Sequence, residues 1–306
     1  MTRVRAVVDA VRVPGAPAPY DTAHLVVHYP ASAGAGDAAV GFVRQAAPAL
    51  PVVLLANNFN CPPSLYHWLA RSLAAAGYAV ATWTWVAPLF GGRPGLSTGV
   101  DLSLVTPATF GSAVPSSLLP AVVAQLPSLG LDLDTSRVVL GGHSAGGTLA
   151  LLCSSWLGAP AFSYGGHTRT QVPQGFGEDH VLPLGDGPPL LLLGGLEDGI
   201  PSAISAAQRG RDLPGHPMAV TAARAVPPRR TCWTVLLEGA NHYSFCEGYD
   251  GSFGRGHLEA AASGDQDAVR ERLRALVLAF CDATVGDGPT APLDAAAVTG
   301  APAPRE

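Results

Sequence analysis

Val138-Val-Leu-Gly-Gly-His-Ser-Ala-Gly-Gly147 decides the reading of this chain, because it runs a short apolar strand straight into a candidate nucleophile. Thr148-Leu-Ala-Leu-Leu-Cys153 follows and reads as a helix. Between the two, Gly142-His143-Ser144-Ala145-Gly146 fits the pattern G-x-S-x-G. A serine on a sharp strand-to-helix turn projects its hydroxyl clear of the backbone, and glycine on either side leaves room for the turn. The helix that follows aims its first N–H groups at the same place, where negative charge on an oxygen would be stabilised.

A serine hydroxyl attacks poorly until a histidine takes its proton, and the histidine needs an acid to orient it. On a strand–turn–helix scaffold these partners are expected in the order serine, acid, histidine, each just past a strand. Pro189-Leu-Leu-Leu-Leu193 reads as a buried strand, and Gly194-Gly-Leu-Glu-Asp-Gly-Ile-Pro201 places Asp198 in the turn after it. Cys232-Trp-Thr-Val-Leu-Leu237 is a further strand, and Glu238-Gly-Ala-Asn-His-Tyr243 places His242 just beyond its end. Either residue alone is an ordinary turn or surface group; the order and context single them out. Glu197 adjoins Asp198 and is the competing choice for the acid.

An oxyanion site needs two donors. One is expected from the backbone N–H of Ala145, and the other from a loop after an earlier strand. Pro51-Val-Val-Leu-Leu-Ala56 is that strand and Asn57-Asn-Phe-Asn60 the loop. Taken together, these segments resemble the α/β-hydrolases, on the branch that holds dienelactone hydrolases, chlorophyllases and microbial polyester hydrolases. The resemblance covers about residues 20 to 284 and includes His24-Leu-Val-Val-His-Tyr-Pro30 and the stretch from Tyr66 to Ala81. It implies that Phe59 supplies the second N–H and lines the acyl pocket. It also implies a serine ester hydrolase with an α/β fold: a mostly parallel sheet of about eight strands, covered by helices on both faces.

The match has departures. Asn57-Asn58 stands where the branch usually carries His-Gly, and asparagine is expected to keep the turn because it tolerates a left-handed backbone. Dienelactone hydrolases use a cysteine nucleophile where this chain has Ser144, and chlorophyllases usually carry arginine at the position of Ala145. The H-G-G-G loop of the hormone-sensitive-lipase branch is missing. The same three side chains would serve an acyltransferase or a thioesterase equally, so that alternative stays open. A hydrolase-fold receptor that binds an apolar molecule without turnover is the alternative from another class, and it has no need of all three groups.

Composition narrows the rest. The chain has 306 residues, a net charge of -5 and 13% charged residues, which gives no electrostatic reason to expect a nucleic-acid partner. All 18 basic residues are arginine, which excludes a Schiff-base lysine, a phosphate-loop lysine and a serine–lysine dyad. No window is apolar for long enough to suggest a membrane span, and Met1 to Ala10 lacks a signal core, so the chain reads as cytoplasmic. Cys61, Cys153, Cys232, Cys246 and Cys281 have no paired spacing, so neither a disulfide framework nor a zinc site is expected. Cys61 and Cys246 are expected to line the pocket as small apolar groups. Acyl-enzyme chemistry of this kind needs no cofactor; the implied partner is a small or polymeric ester with an apolar acyl or alcohol group.

Along the chain, residues 1 to 30 read as two edge strands, and 31 to 50 as a small-residue connection. Strands and helices then alternate to Leu237. Val269, Leu273, Leu276, Val277 and Phe280 give a helical period over about 266 to 284. The catalytic domain is thus expected to span 1–284, with 285–306 an Ala/Pro-rich disordered tail. Two irregular stretches, Trp85 to Ser116 and Tyr243 to Phe253, are expected to build the binding crevice.

Overall fold

Alternation along the strands sorts the apolar side chains onto the two faces of one sheet. The computed structural model describes residues 3–33, 49–89, 92–252 and 254–297. Phe90, Phe253 and most of the 31–50 connection lie outside the described residues. At one edge, β1 (Val4–Arg12) pairs antiparallel with β2 (Thr22–Pro30), which in turn pairs antiparallel with β4 (Ala79–Pro88). The order then runs through β3 (Leu50–Ala56), β6 (Leu133–His143), β7 (Ala161–Tyr164), β8 (Leu190–Gly195) and β9 (Cys232–Leu237), each neighbour parallel. β5 (Pro94–Ser97) folds back antiparallel onto the end of β4.

The expected mostly parallel sheet of about eight strands is thus found as a mixed sheet of nine, parallel from β4 through β9 and antiparallel where β1, β2 and β5 pair. The cause is connection length. A short link such as that between β1 and β2 can only return the chain antiparallel, whereas parallel neighbours need a crossover, usually a helix.

The leucines of β8 show how the core is divided. Leu190 and Leu192 face one apolar cluster and Leu191 and Leu193 the other, all fully buried. Helices α2 (Leu118–Gln125), α3 (Ala145–Leu157) and α5 (Pro217–Ala225) cover the first face, with Leu118, Leu149 and Met218 among their contributions. Helices α1 (His67–Ala75) and α6 (Gln266–Val285) cover the second with Leu69, Leu73, Leu273, Val277 and Phe280. Asp265 caps α6, its Oδ1 accepting from the N–H groups of Asp267 and Ala268. Helix α4 (Ile200–Arg209) opens just beyond the turn that carries Asp198.

The tail expected from 285 onward needs correcting over its first part. Ala291–Ala296 forms a further short helix, α7, with Leu293 fully buried and Asp294 Oδ1 accepting the indole N–H of Trp233 at 2.7 Å. One apolar side chain in a pocket and one charge-assisted bond anchor a segment whose composition alone suggested disorder. Residues 298–306 lie outside the described residues. No described helix is long and apolar enough to cross a membrane.

Candidate active site

Ser144 stands between the last residue of β6 and the first of α3, with φ 54° and ψ −121°. A positive φ at a residue with a Cβ is strained, and it holds here because the surroundings fix it. Ser144 N–H donates to the Tyr164 carbonyl at 2.8 Å, and its own carbonyl accepts from Thr148 N–H at 2.9 Å. Both flanking glycines are required by close approach. A Cβ at Gly142 would lie 2.5 Å from the carbonyl carbon of Gly146, and one at Gly146 would lie 2.4 Å from the Asn57 carbonyl oxygen. The turn thus packs backbone against backbone where β6, β3 and α3 meet.

Asp198 and His242 sit in the loops after β8 and β9, and the structure brings them into contact. Asp198 Oδ2 lies 2.8 Å from His242 Nδ1, with the two side chains 3% and 2% exposed. A carboxylate facing Nδ1 fixes the proton there and leaves Nε2 as the acceptor. That Nε2 is buried, has no hydrogen-bond partner among the described residues, and belongs to a ring lining the same cavity as Ser144. No hydrogen bond joins Ser144 to His242 among the described residues; nucleophile–base bonds of this kind tighten in the substrate complex. Glu197, the competing acid, is turned outward and accepts from the backbone and hydroxyl of Ser263.

Three residues outside the sequence-level candidates hold this pair in place. Glu259 bridges the two loops, Oε1 accepting from Gly199 N–H at 3.0 Å and Oε2 from His242 N–H at 3.2 Å. Burial raises its pKa from the ordinary carboxylate value. His143 Nε2 lies 2.9 Å from the His242 carbonyl, so Nε2 donates and Nδ1 accepts from Tyr66 O–H, also at 2.9 Å. Tyr66 oxygen in turn accepts from Asn58 N–H at 3.2 Å. A buried chain of hydrogen bonds therefore runs from the 57–60 loop to the histidine loop. Burial drives the His143 pKa well down, so its ring is neutral.

Behind the histidine, Gly165 has φ +64°, and a Cβ there would sit 3.0 Å from His242 Nδ1. A Cβ at Gly166 would come within 2.2 Å of the Ser144 carbonyl oxygen. Neither glycine stands in a recognisable motif; only their approach to the site reveals them.

The 57–60 loop satisfies much of its own polarity. Phe59 N–H donates to Asn58 Oδ1 at 2.8 Å, while Asn57 Nδ2 donates to the carbonyls of Asn58 and Cys61. The left-handed residue is Asn60, with φ 55°, rather than Asn57 or Asn58 as the sequence suggested. Asn60 N–H and Oδ1 both bond Leu96 of β5, which ties the loop to that added strand.

Phe59, Ala145, Ser144 and His242 all border one cavity of about 460 Å³. Leu89, Arg93, Val100, Leu102 and Val105 come from the first expected crevice stretch, and Tyr243 from the second. A wall between His167 and Leu182, together with Ile200 and Ile204, was not anticipated. Cys61 and Cys246 do not line the cavity, contrary to expectation; they lie behind it in the second apolar cluster, where burial pushes both thiols up, Cys61 to about 11. All five cysteines are free.

Asp198, His242 and Glu259 are close enough together to suggest a metal site. The donor set does not fit one, because every carboxylate oxygen already accepts a hydrogen bond: Asp198 Oδ1 from Ile200 N–H, Oδ2 from His242, and both Glu259 oxygens from backbone.

No protein-family model matches the chain, and no curated protein matches it. Among solved structures, a ferulic acid esterase from Streptomyces cinnamoneus is similar, with a TM-score of 0.61 over 96% of this chain and 92% of that one, at 20% identity. The likeness shows a shared fold with an esterase, a mixed sheet flanked by helices.

Proposed function

We propose that the protein is a serine carboxylic-ester hydrolase working through an acyl-enzyme. One observation carries this reading: a strained Ser144 and the unpartnered Nε2 of an Asp198-bound His242 face one cavity. His242 Nε2 takes the Ser144 proton as Oγ attacks the ester carbonyl. Asp198 stabilises the imidazolium and holds the ring in the needed tautomer. The oxyanion is received by the N–H groups of Ala145 and Phe59. A charged oxygen attracts the Phe59 N–H more strongly than the neutral Asn58 amide does, so it displaces that self-contact as charge develops. The C–O bond then breaks, and the leaving alcohol takes the proton from His242. Water, deprotonated by the same imidazole, frees Ser144 and the carboxylic acid.

The apolar lining from Leu102, Val105, Leu152 and Leu182 supports an apolar acyl or alcohol group. Because a protein of the same fold is an esterase of ferulic acid, aromatic acyl esters belong in the first substrate panel. Incubation with a 4-nitrophenyl ester should release nitrophenol with wild type and not with Ser144→Ala. A fluorophosphonate should add its mass to the peptide containing Ser144. Equal nitrophenol release from the variant would end the proposal.

A further inference from the structure

The cavity over Ser144 is lined by Arg93, Arg169 and Arg255, and no aspartate or glutamate lines it among the described residues. This inverts the balance of the whole chain, whose net charge is -5. Arg169 is the most buried of the three, its side chain 7% exposed; Nη2 donates to the Pro214 carbonyl at 2.7 Å and Nε faces Asp179 Oδ1 at 3.2 Å. Asp179 also pairs with Arg224 at 2.8 Å, and Asp212 and Arg209 act on Arg169 as well, so three guanidiniums face two carboxylates and the group keeps a net positive charge. Arg255 is half-buried and Arg93 exposed, and neither forms an ion pair among the described residues. His167, which shares the wall, is held neutral by burial and by Arg169, with its pKa lowered to about 4. The histidine therefore adds polarity at neutral pH, and the arginines supply the charge.

Unneutralised cations in a concave, partly desolvated site attract an anion more strongly than the same charges on an open surface. Arginine also presents paired donors that match carboxylate and phosphate geometry. We propose that the natural substrate is an anionic ester, in which a carboxylate or phosphate remote from the scissile carbonyl is held by these cavity arginines. Arg255 and Arg93 act at the mouth, and Arg169 sets the potential from within. The inference rests on the hydrolase reading of Ser144 for its reaction, but not for its recognition.

Matched esters test it. On the alcohol side, 4-acetoxybenzoate and 4-acetoxyphenyl phosphate are compared with neutral 4-acetoxybenzamide. On the acyl side, 4-nitrophenyl hydrogen adipate is compared with 4-nitrophenyl hexanoate. Binding to Ser144→Ala is measured by calorimetry, and kcat/KM is measured on wild type. In at least one set the anionic member should bind about tenfold tighter to Ser144→Ala and show a similar advantage in kcat/KM, shrinking as salt screens the charges. The carboxylate and phosphate arms show which anion is preferred. Arg255→Gln and Arg93→Gln should each reduce the anionic-to-neutral ratio. Equal binding of anionic and neutral members in both sets, or a ratio unmoved by both variants, overturns the inference. If Ser144→Ala prefers anions but wild type cleaves none of the esters, the hydrolase reading fails and the anion site stands.

Discussion

The two sides of Ser144 are built on opposite plans. On the acid–base side, both Asp198 oxygens and both Glu259 oxygens are bonded, the His242 carbonyl is held by His143, and only Nε2 is left open. On the proposed oxyanion side, the loop bonds to itself, and the Phe59 N–H that the proposed reaction would use is occupied by its neighbour's side chain. In the proposed mechanism the first side is prepared before substrate arrives, and the second is completed by the substrate's own charge. Proton transfer demands a fixed tautomer and orientation, whereas a hydrogen-bond donor can be released by rotation of one side chain.

The most severe test of the comparison is Ser144→Ala, expected to lower turnover by about a million-fold. A residual rate within about tenfold of wild type would mean that neither side serves this residue. Asp198→Asn should cost about ten thousand-fold by letting the ring adopt the wrong tautomer, whereas Glu197→Gln should stay within about twofold. Comparable losses from the two would show that the braced side has been assigned to the wrong carboxylate. Glu259→Gln keeps one acceptor but turns an amide N–H₂ toward a backbone donor. It should lower kcat by about tenfold with KM nearly unchanged, since it disturbs orientation rather than binding. A change confined to KM would place Glu259 with the substrate instead.

The self-bonded side predicts the reverse sign. Asn58→Ala removes the competitor for Phe59 N–H, a neutral hydrogen bond worth about 1 kcal/mol, and should raise kcat up to about fivefold. A fall beyond tenfold would show that Asn58 shapes the loop rather than occupying its donor. The gentlest test is pH. His143 and His167 are held neutral in the fold, His167 with a pKa lowered from 6.5 to about 4. The unfolded chain therefore binds more protons below 6.5, and Tm should fall as pH drops from there toward 4 and stay level above it. A Tm that rises with acidity in that window would contradict the neutral ring behind the braced side.

The Ser144 turn, the Asp198 and His242 loops and the strands that carry them were legible because each is a local pattern: an apolar run, then a polar loop with glycine. Helix α6 was equally plain from its period. Strand direction at the β1–β2 edge and the added β5 were not, since pairing partners are chosen by connection length rather than by composition. Glu259 escaped because it lies in a loop without period, and its role exists only where two distant backbones present N–H groups to one carboxylate. The Ala/Pro-rich segment of α7 misled because a single leucine and a single aspartate, not its average character, decide where it rests.

Arg255 and Glu259 lie on one short stretch, the first bordering the cavity and the second gripping the backbone beside both Asp198 and His242. Any redesign that transplants this stretch would therefore shift the Asp198–His242 pair as well. Arg93, next to β5, borders the same cavity from a different stretch, one that reaches the histidine loop only through Asn60, Asn58, Tyr66 and His143.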